Sequence, residues 1–320
     1  MRKPNLFTWA TSELSQDAFI IWLLDWANYP EGGALHKTAI ELINILTDNR
    51  IAKIESIRFE PQKYKIDILC IINDKYALMI EDKTNTSNHS GQLERYLEKL
   101  SEDFSRDLIF PVYLKTGDQS DFEAIEKLGY KLLLRQDFLK VLSYGIKQGV
   151  SDSIFMDYYE VLNNIEESFQ SYKTLAVSNW HWDSWKGFYS ELQKQLGTGG
   201  WDYVPQNNGG FLGFWWNWKT KTYEGKKFDY YLQLEHNKFC FKIRVEDKTD
   251  SYQIRDYYRS LLYPKAKEHN IAIKQNGRIG KTMTVAVLEE AYIAVDKNGF
   301  LDMESTIENI RSVEELMESI

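Results

Sequence analysis

The sequence predicts an α/β core followed by a second, α+β unit. Three observations predict it. Two apolar helical segments lead the chain, and the hydrophobic period then changes from helical to strand-like over 53–83. Strand and helix patterns alternate from there to about residue 148, the plan of a sheet between helices. The composition then shifts, with seven of the ten tryptophans falling between Trp180 and Trp218. A chain of 320 residues is also long for one core. The expected division is a domain over 1–150, a helical connector over 151–178 and an aromatic-rich α+β domain over 179–320, with a boundary near 175.

Residues 12–28 read as a helix. Thr11 or Ser12 can cap it, Glu13 and Asp17 lie in its early turns, and AFIIWLLDWA is apolar nearly all round, which predicts burial. Glu31-Gly32-Gly33 breaks the chain, and 34–49 reads as a second helix. KIESIRFEP at 53–61 alternates and ends at proline, KIDILCII at 65–72 is rich in β-branched residues, Asn73-Asp74 signals a turn, and YALMIEDK at 76–83 completes a meander. A polar loop at 84–91 leads to the helix QLERYLEKL, whose Leu93, Tyr96, Leu97 and Leu100 share one face. A strand at 108–115, a short helix at 120–128, a strand at 130–134 and a helix at 135–148 follow. The stretch 149–178 is mostly polar helix. Beyond it come a helix at 182–196, a Gly-rich loop, strands at 211–218, 228–235 and 238–246, a helix near 251–269, a strand at 282–295 and an acidic helical tail.

Composition narrows the function classes. Cys70 and Cys240 lie in apolar stretches with no CxxC partner or nearby histidine, which leaves structural zinc and a disulfide framework without support and points to a reducing, cytoplasmic setting. The first residues carry no apolar run of the signal-peptide kind. The longest apolar run, AFIIWLL, is far short of the ~20 residues a membrane span needs, so a soluble protein with no membrane partner is expected. A net charge of −8 argues against a passive nucleic-acid coat, whose affinity comes from Lys and Arg at phosphates. It is compatible with an enzyme that meets phosphate through metal ions and local cations.

Glu-x-Lys occurs three times, at Glu81-Lys83, Glu224-Lys226 and Glu246-Lys248, which is close to chance in a chain this rich in both residues. The surroundings single out the first copy. Glu81 and Lys83 lie two apart on an expected strand, so their side chains leave the same face. A hairpin turning near 73–76 would bring Asp67 beside Glu81. Two such carboxylates repel unless a divalent cation lies between them. Mg2+ takes hard oxygen ligands and keeps waters in its shell, and a lysine alongside can position or deprotonate the attacking water or neutralise a phosphate.

The run KIDILCIINDKYALMIEDKTNTSNHSGQLERYLEKL resembles the core of the PD-(D/E)XK nuclease superfamily. It is most similar to a bacterial group reading aspartate, hairpin, Ile-Glu-x-Lys, loop, then Gln-Leu-x-x-Tyr on a helix. The resemblance is specific over about 60–100 and compatible from 8 to 145; Lys65-Ile66 stand where the family's name-giving proline precedes the aspartate. It implies a restriction-endonuclease-like core, a mixed central sheet flanked by helices. It also implies Mg2+, with Mn2+ as a substitute, on Asp67, Glu81 and the backbone carbonyl of Asp82, a catalytic Lys83, and Gln92 and Tyr96 lining the site. Many members add a glutamate from the first helix, which maps to Glu13. The activity implied is hydrolysis of phosphodiester bonds, in DNA more than RNA, with defence, restriction or repair following by analogy alone. A homodimer is left open.

Plainer readings stand beside these. The helix dipole alone favours Glu13 in a first turn, Gln92 suits any first turn, and Asp67 could be a solvated partner of Lys83. His89, in the polar loop, reads as exposed. The rival function is a non-catalytic nuclease-fold module binding nucleic acid or a protein partner. The acidic charge favours it and the intact Asp-Glu-Lys set opposes it.

KFDYYLQLEHNKFCFKIRVEDKTDSYQIRDYYRSL at 227–261 echoes the first motif, with Asp229, Glu246-Asp247-Lys248, Gln253 and Tyr257. A second active site, a degenerate duplicated half-domain and coincidence all account for it. Trp215, Trp216 and Trp218 mix with Lys219, Lys221, Lys226 and Lys227. Aromatics stack on unpaired bases while lysines track phosphates, so Trp215, Trp218, Lys219 and Lys221 are candidate substrate contacts. The aromatic core of a small sheet with a lysine-bearing hairpin is the competing and preferred account.

Overall fold

The computed structural model describes residues 4–60, 63–84, 91–206 and 209–320. Most of the polar loop read at 84–91, His89 with it, and Pro61, the expected strand end, lie outside the described residues. The chain divides into two compact units, Met1–Glu167 and Ser168–Ile320.

In the first unit, α1 (Glu13–Asp25) and α2 (Ala34–Leu46) precede a meander of β1 (Ile57–Phe59), β2 (Ile68–Ile72) and β3 (Tyr76–Lys83). Then come α3 (Gln92–Leu100), β4 (Ile109–Lys115), α4 (Glu123–Lys127), β5 (Lys131–Leu134), α5 (Arg135–Lys147) and α6 (Ser153–Gln170). The sheet runs β1-β2-β3-β4-β5, antiparallel through β3 and parallel from β3 to β5. Helices cover both faces. Residues of α1, α2, α5 and α6 pack with Ile68, Cys70, Ile72, Leu78 and Ile80 on one, and residues of α3 and α4 with Leu69, Ile71, Ala77, Met79 and Tyr113 on the other. Double burial explains why β2, β3 and β4 are near-continuous apolar runs rather than alternating ones. Phe155, Tyr158 and Leu162 of α6, within the stretch read as a bridge, belong to the first of these cores. α5 approaches α2 closely at Gly145, where a Cβ would lie 2.7 Å from Thr38 Oγ1 and 2.8 Å from the Phe155 ring.

The strand expected over 53–61 contracts to three residues. Its leading backbone bonds to side chains instead of a ladder: the Glu55 and Ser56 amides donate to Asn73 Oδ1, and Asn73 Nδ2 donates to Lys53 O. The strand expected from residue 65 starts at Ile68, because Tyr64 and Lys65 both adopt positive φ. β3 and α3 coincide with the segments read from the sequence.

In the second unit, α7 (Trp182–Leu196) leads to β6 (Gly200–Val204), β7 (Phe211–Tyr223), β8 (Lys226–Glu235), β9 (Lys238–Val245), α8 (Ser251–Glu268), β10 (Ile273–Gln275), β11 (Thr282–Leu288), β12 (Ala294–Val295), β13 (Leu301–Asp302) and α9 (Met303–Glu318). The six-stranded sheet is antiparallel throughout, ordered β10-β11-β9-β8-β7-β6. Alternate residues such as Phe214, Trp216, Leu232 and Phe241 pack with Phe188 of α7, Tyr258 of α8 and Leu316 of α9. The Gly-rich loop yields β6, because Trp201 packs into this core. The single strand expected at 282–295 is two, since Glu289 and Glu290 are exposed beyond β11 and β12 pairs with β13 instead. Among the described residues, no helix is long and apolar enough to cross a membrane.

Candidate active site

Side chains alternate along β3, so Glu81 and Lys83 face α3 while Asp82 faces α1. The hairpin pairs Ile68 with Ile80, and Asp67, one residue ahead of β2, continues that register toward Glu81. The Asp82 amide donates to Asp67 Oδ2 at 3.0 Å. The Lys83 ammonium reaches Glu81 Oε1 at 2.6 Å, the Asp82 carbonyl at 3.0 Å and Asp67 Oδ2 at 3.4 Å. Three oxygens thus converge on one cation. Glu81 is fully buried, whereas the Asp67 side chain is 28% exposed, so the cluster opens to solvent on the Asp67 side.

α3 closes the buried side. Gln92 Nε2 donates to Glu81 Oε1 and to Tyr96 Oη, both at 2.8 Å, which is why a Gln and a Tyr one helical turn apart suit this position. α1 closes the reverse side. Glu13 Oε1 accepts from the Thr84 amide at 3.0 Å and from Thr84 Oγ1 at 3.4 Å. The structure therefore brings Asp67, Glu81, Lys83, Gln92 and Tyr96 together, and sets Glu13 at the end of the same strand.

Burial and crowding shift the acids upward. Desolvation, with the Asp67 charge adding, pushes Glu81 up to about 7. Desolvation and the same charge push Asp17 up to about 6, and burial together with the Asp17 charge holds Asp82 well above the carboxylate range. Burial alone would lower the Lys83 ammonium, but the Glu81 hydrogen bond and the Glu81 and Asp67 charges outweigh it and hold Lys83 above its ordinary value. Glu81 Oε2 is buried and has no hydrogen-bond partner among the described residues.

Sequence reasoning missed residues on α1 and β4. Gln16 and Asp17 are buried beside Asp82. Their one signal is being polar on an otherwise apolar helix. In register with Glu81 and Lys83, β4 supplies Tyr113 and Lys115. The Tyr113 hydroxyl is buried without a hydrogen-bond partner among the described residues, and burial brings Lys115 down to about 8 against the opposing charges of Glu13 and Asp118. Among the described residues, no three His, Cys, Asp or Glu side chains gather as a metal-binding group. The site offers two carboxylates and a main-chain carbonyl.

The second motif folds differently. β9 ends at Val245, so Glu246 lies past the strand and Lys248 starts a short 3-10 turn. Asp229 accepts from Thr220 Oγ1 at 2.8 Å and pairs with Arg244 at 2.7 Å. Gln253 bonds Lys226 and Glu224, and Tyr257 stacks on Tyr223. A cleft of about 420 Å³ lies over Asp229, Arg244 and Glu246. In the tryptophan segment, Trp216 is core, Trp215 is half-buried, and Trp218 is 43% exposed, stacked on Tyr231 with Arg244 over its ring. Lys219 pairs with Glu318 at 2.7 Å, and Lys221 donates to the Ile320 carbonyl. Lys219 thus anchors α9, and Lys221 the residues just past it.

No curated protein and no solved structure matches the chain. The family model of the PD-(D/E)XK nuclease superfamily matches residues 4–177, more than half of the chain and all of the site built on β2, β3 and α3. Members of that superfamily are generally nucleases and typically use divalent metals. The mixed sheet between helices is its restriction-endonuclease-like fold. With the acidic pair, the lysine and the sheet that carries them all accounted for, the chain belongs to the PD-(D/E)XK nuclease superfamily.

Proposed function

We propose that this protein is a Mg2+-dependent nuclease, with Mn2+ as a substitute, that hydrolyses phosphodiester bonds in DNA more than in RNA. One observation carries the reading: Asp67, Glu81 and the Asp82 carbonyl converge on a single cation, the Lys83 ammonium, at the open end of a buried hairpin. The donor set fits a hard divalent ion, being all oxygen, and Glu81 Oε2, without a hydrogen-bond partner among the described residues, leaves a lone pair for a ligand bond. Asp67, Glu81 and the Asp82 carbonyl would hold the ion, with Glu13 assisting through water. When bound, Mg2+ supplies Lewis acidity and a water of lowered pKa.

The chain's own residues then have separable tasks. Lys83, within reach of Glu81, the Asp82 carbonyl and Asp67, would position or deprotonate the attacking water, or neutralise phosphate charge. Gln92 restrains the Glu81 carboxylate, and Tyr96 restrains Gln92. The second unit would choose the substrate, with Trp218 and Trp215 among its exposed and half-exposed aromatics. The buried, unpaired thiols Cys70 and Cys240 suit a reducing cytoplasm. A role in defence, restriction or repair rests on family analogy alone.

The net charge of −8 favours the rival, a non-catalytic module on the same fold. One assay separates them: plasmid and oligonucleotide cleavage with Mg2+ or Mn2+, beside Lys83→Ala and Glu81→Ala. Metal-dependent cleavage lost in both variants supports the nuclease. Cleavage equal in wild type and both variants, or absent from all three, removes it.

A further inference from the structure

The strand carrying Glu81 and Lys83 is gripped from behind. Gln16 of α1 is buried and uses both ends of its amide. Its Nε2 donates to Asp82 Oδ1, while its Oε1 accepts from Thr116 Oγ1 at 2.8 Å and from Tyr158 Oη at 2.9 Å. The Thr116 amide in turn donates to the Lys83 carbonyl at 3.2 Å. Asp82, Thr116 and Tyr158 are themselves buried, so no water competes for these bonds.

We propose that Gln16 is a positioning residue for the candidate metal site, fixing through the Asp82 side chain the Asp82 peptide whose carbonyl faces that site. This rests on the nuclease reading above. The argument is geometric. Asp82 sits between Glu81 and Lys83 with its side chain on the opposite face, so holding that side chain fixes the peptide planes on either side of it. The amide of Asp82 meets Asp67 and its carbonyl meets Lys83, so a rotation there would disturb both site oxygens together. Burying an amide against a carboxylate is costly when partly satisfied, and packing alone would be served by an apolar residue like the neighbouring Phe19 or Ile20. Here every polar atom of the Gln16 side chain is used. Groups that orient metal ligands in this way are worth about 10–100-fold in metal affinity or activity.

The test compares wild type with Gln16→Met, which keeps length and removes the amide, and with Tyr158→Phe, which removes one hydroxyl and keeps the ring stacked on Phe19. Mn2+ binding is measured by calorimetry without nucleic acid, well below each melting temperature, together with kcat and KM on an oligonucleotide. Gln16→Met is expected to weaken Mn2+ binding about 10–100-fold and lower kcat with KM little changed. Tyr158→Phe, losing one ordinary hydrogen bond, is expected to weaken it about fivefold. If Gln16→Met does not fold, Tyr158→Phe decides. Wild-type Mn2+ affinity in the folded variants overturns the positioning role alone. A wild-type protein that binds no Mn2+ overturns the metal-site reading and this inference with it.

Discussion

Lys83 Nζ lies 2.6 Å from Glu81 Oε1, two residues along the same strand, and Glu81 is fully buried. A buried carboxylate without its cation is expensive, and removing one partner of such a pair costs about 3–5 kcal/mol. Lys83→Met is therefore expected to destabilise the chain by about that much at pH 8. At pH 5 the loss should be smaller, because Glu81, pushed up to about 7, then takes up a proton. Urea unfolding at the two pH values checks this, and an equal loss at both would contradict it.

The same shifts set a pH dependence. Glu81 and Asp17 titrate above their ordinary values of 4.5 and 3.8, at about 7 and about 6. Within those windows the folded chain binds more protons than the unfolded chain, so these two groups make stability fall as pH rises toward 7. A divalent ion competes with the same protons. Mn2+ is expected to raise the melting temperature at pH 8 and to do so little at pH 5. Thermal melts with and without Mn2+ decide, and a larger shift at pH 5 would count against the site.

Gln92 carries a separate expectation. Its Nε2 joins Glu81 Oε1 to Tyr96 Oη, so Gln92→Leu releases the carboxylate and should cost about 10–100-fold in kcat/KM. Tyr96→Phe removes only the outer contact and should cost less. The reverse order would mean that Tyr96 touches the substrate directly.

In the second unit, Glu246→Gln and Lys248→Ala are expected to leave metal-dependent cleavage unchanged, since neither residue lies on β9. Asp229→Ala removes a half-exposed pair with Arg244 and should cost no more than about 1 kcal/mol in urea unfolding. Loss of cleavage in either of the first two would revive a second centre.

The sequence displayed the front of the site and concealed its back. Glu81 and Lys83 share a face by the period of a strand, the Asn73-Asp74 turn with two positive φ angles fixes the hairpin, and Gln92 and Tyr96 follow at helical spacing. All of that is local. Gln16 and Asp17 meet Asp82 across 65 or more positions, and Thr116 and Tyr158 meet Gln16 across 100 or more, through packing of α1 and α6 on the sheet, and no short-range pattern encodes it. The second motif shows the same limit. Its spacing echoed the first, but β9 ended early and Arg244, opposite Asp229, took the carboxylate. Lys219 and Lys221 looked available for phosphate, yet Lys219 reaches α9 and Lys221 the Ile320 carbonyl just past it, almost a hundred residues away.

The most direct measurement is anomalous diffraction from a crystal soaked in Mn2+. A Mn2+ peak coordinated by Asp67, Glu81 and the Asp82 carbonyl is the predicted result. A peak beside Asp229 and Glu246, or none at Asp67 and Glu81 while the soaked protein cleaves DNA, would contradict it.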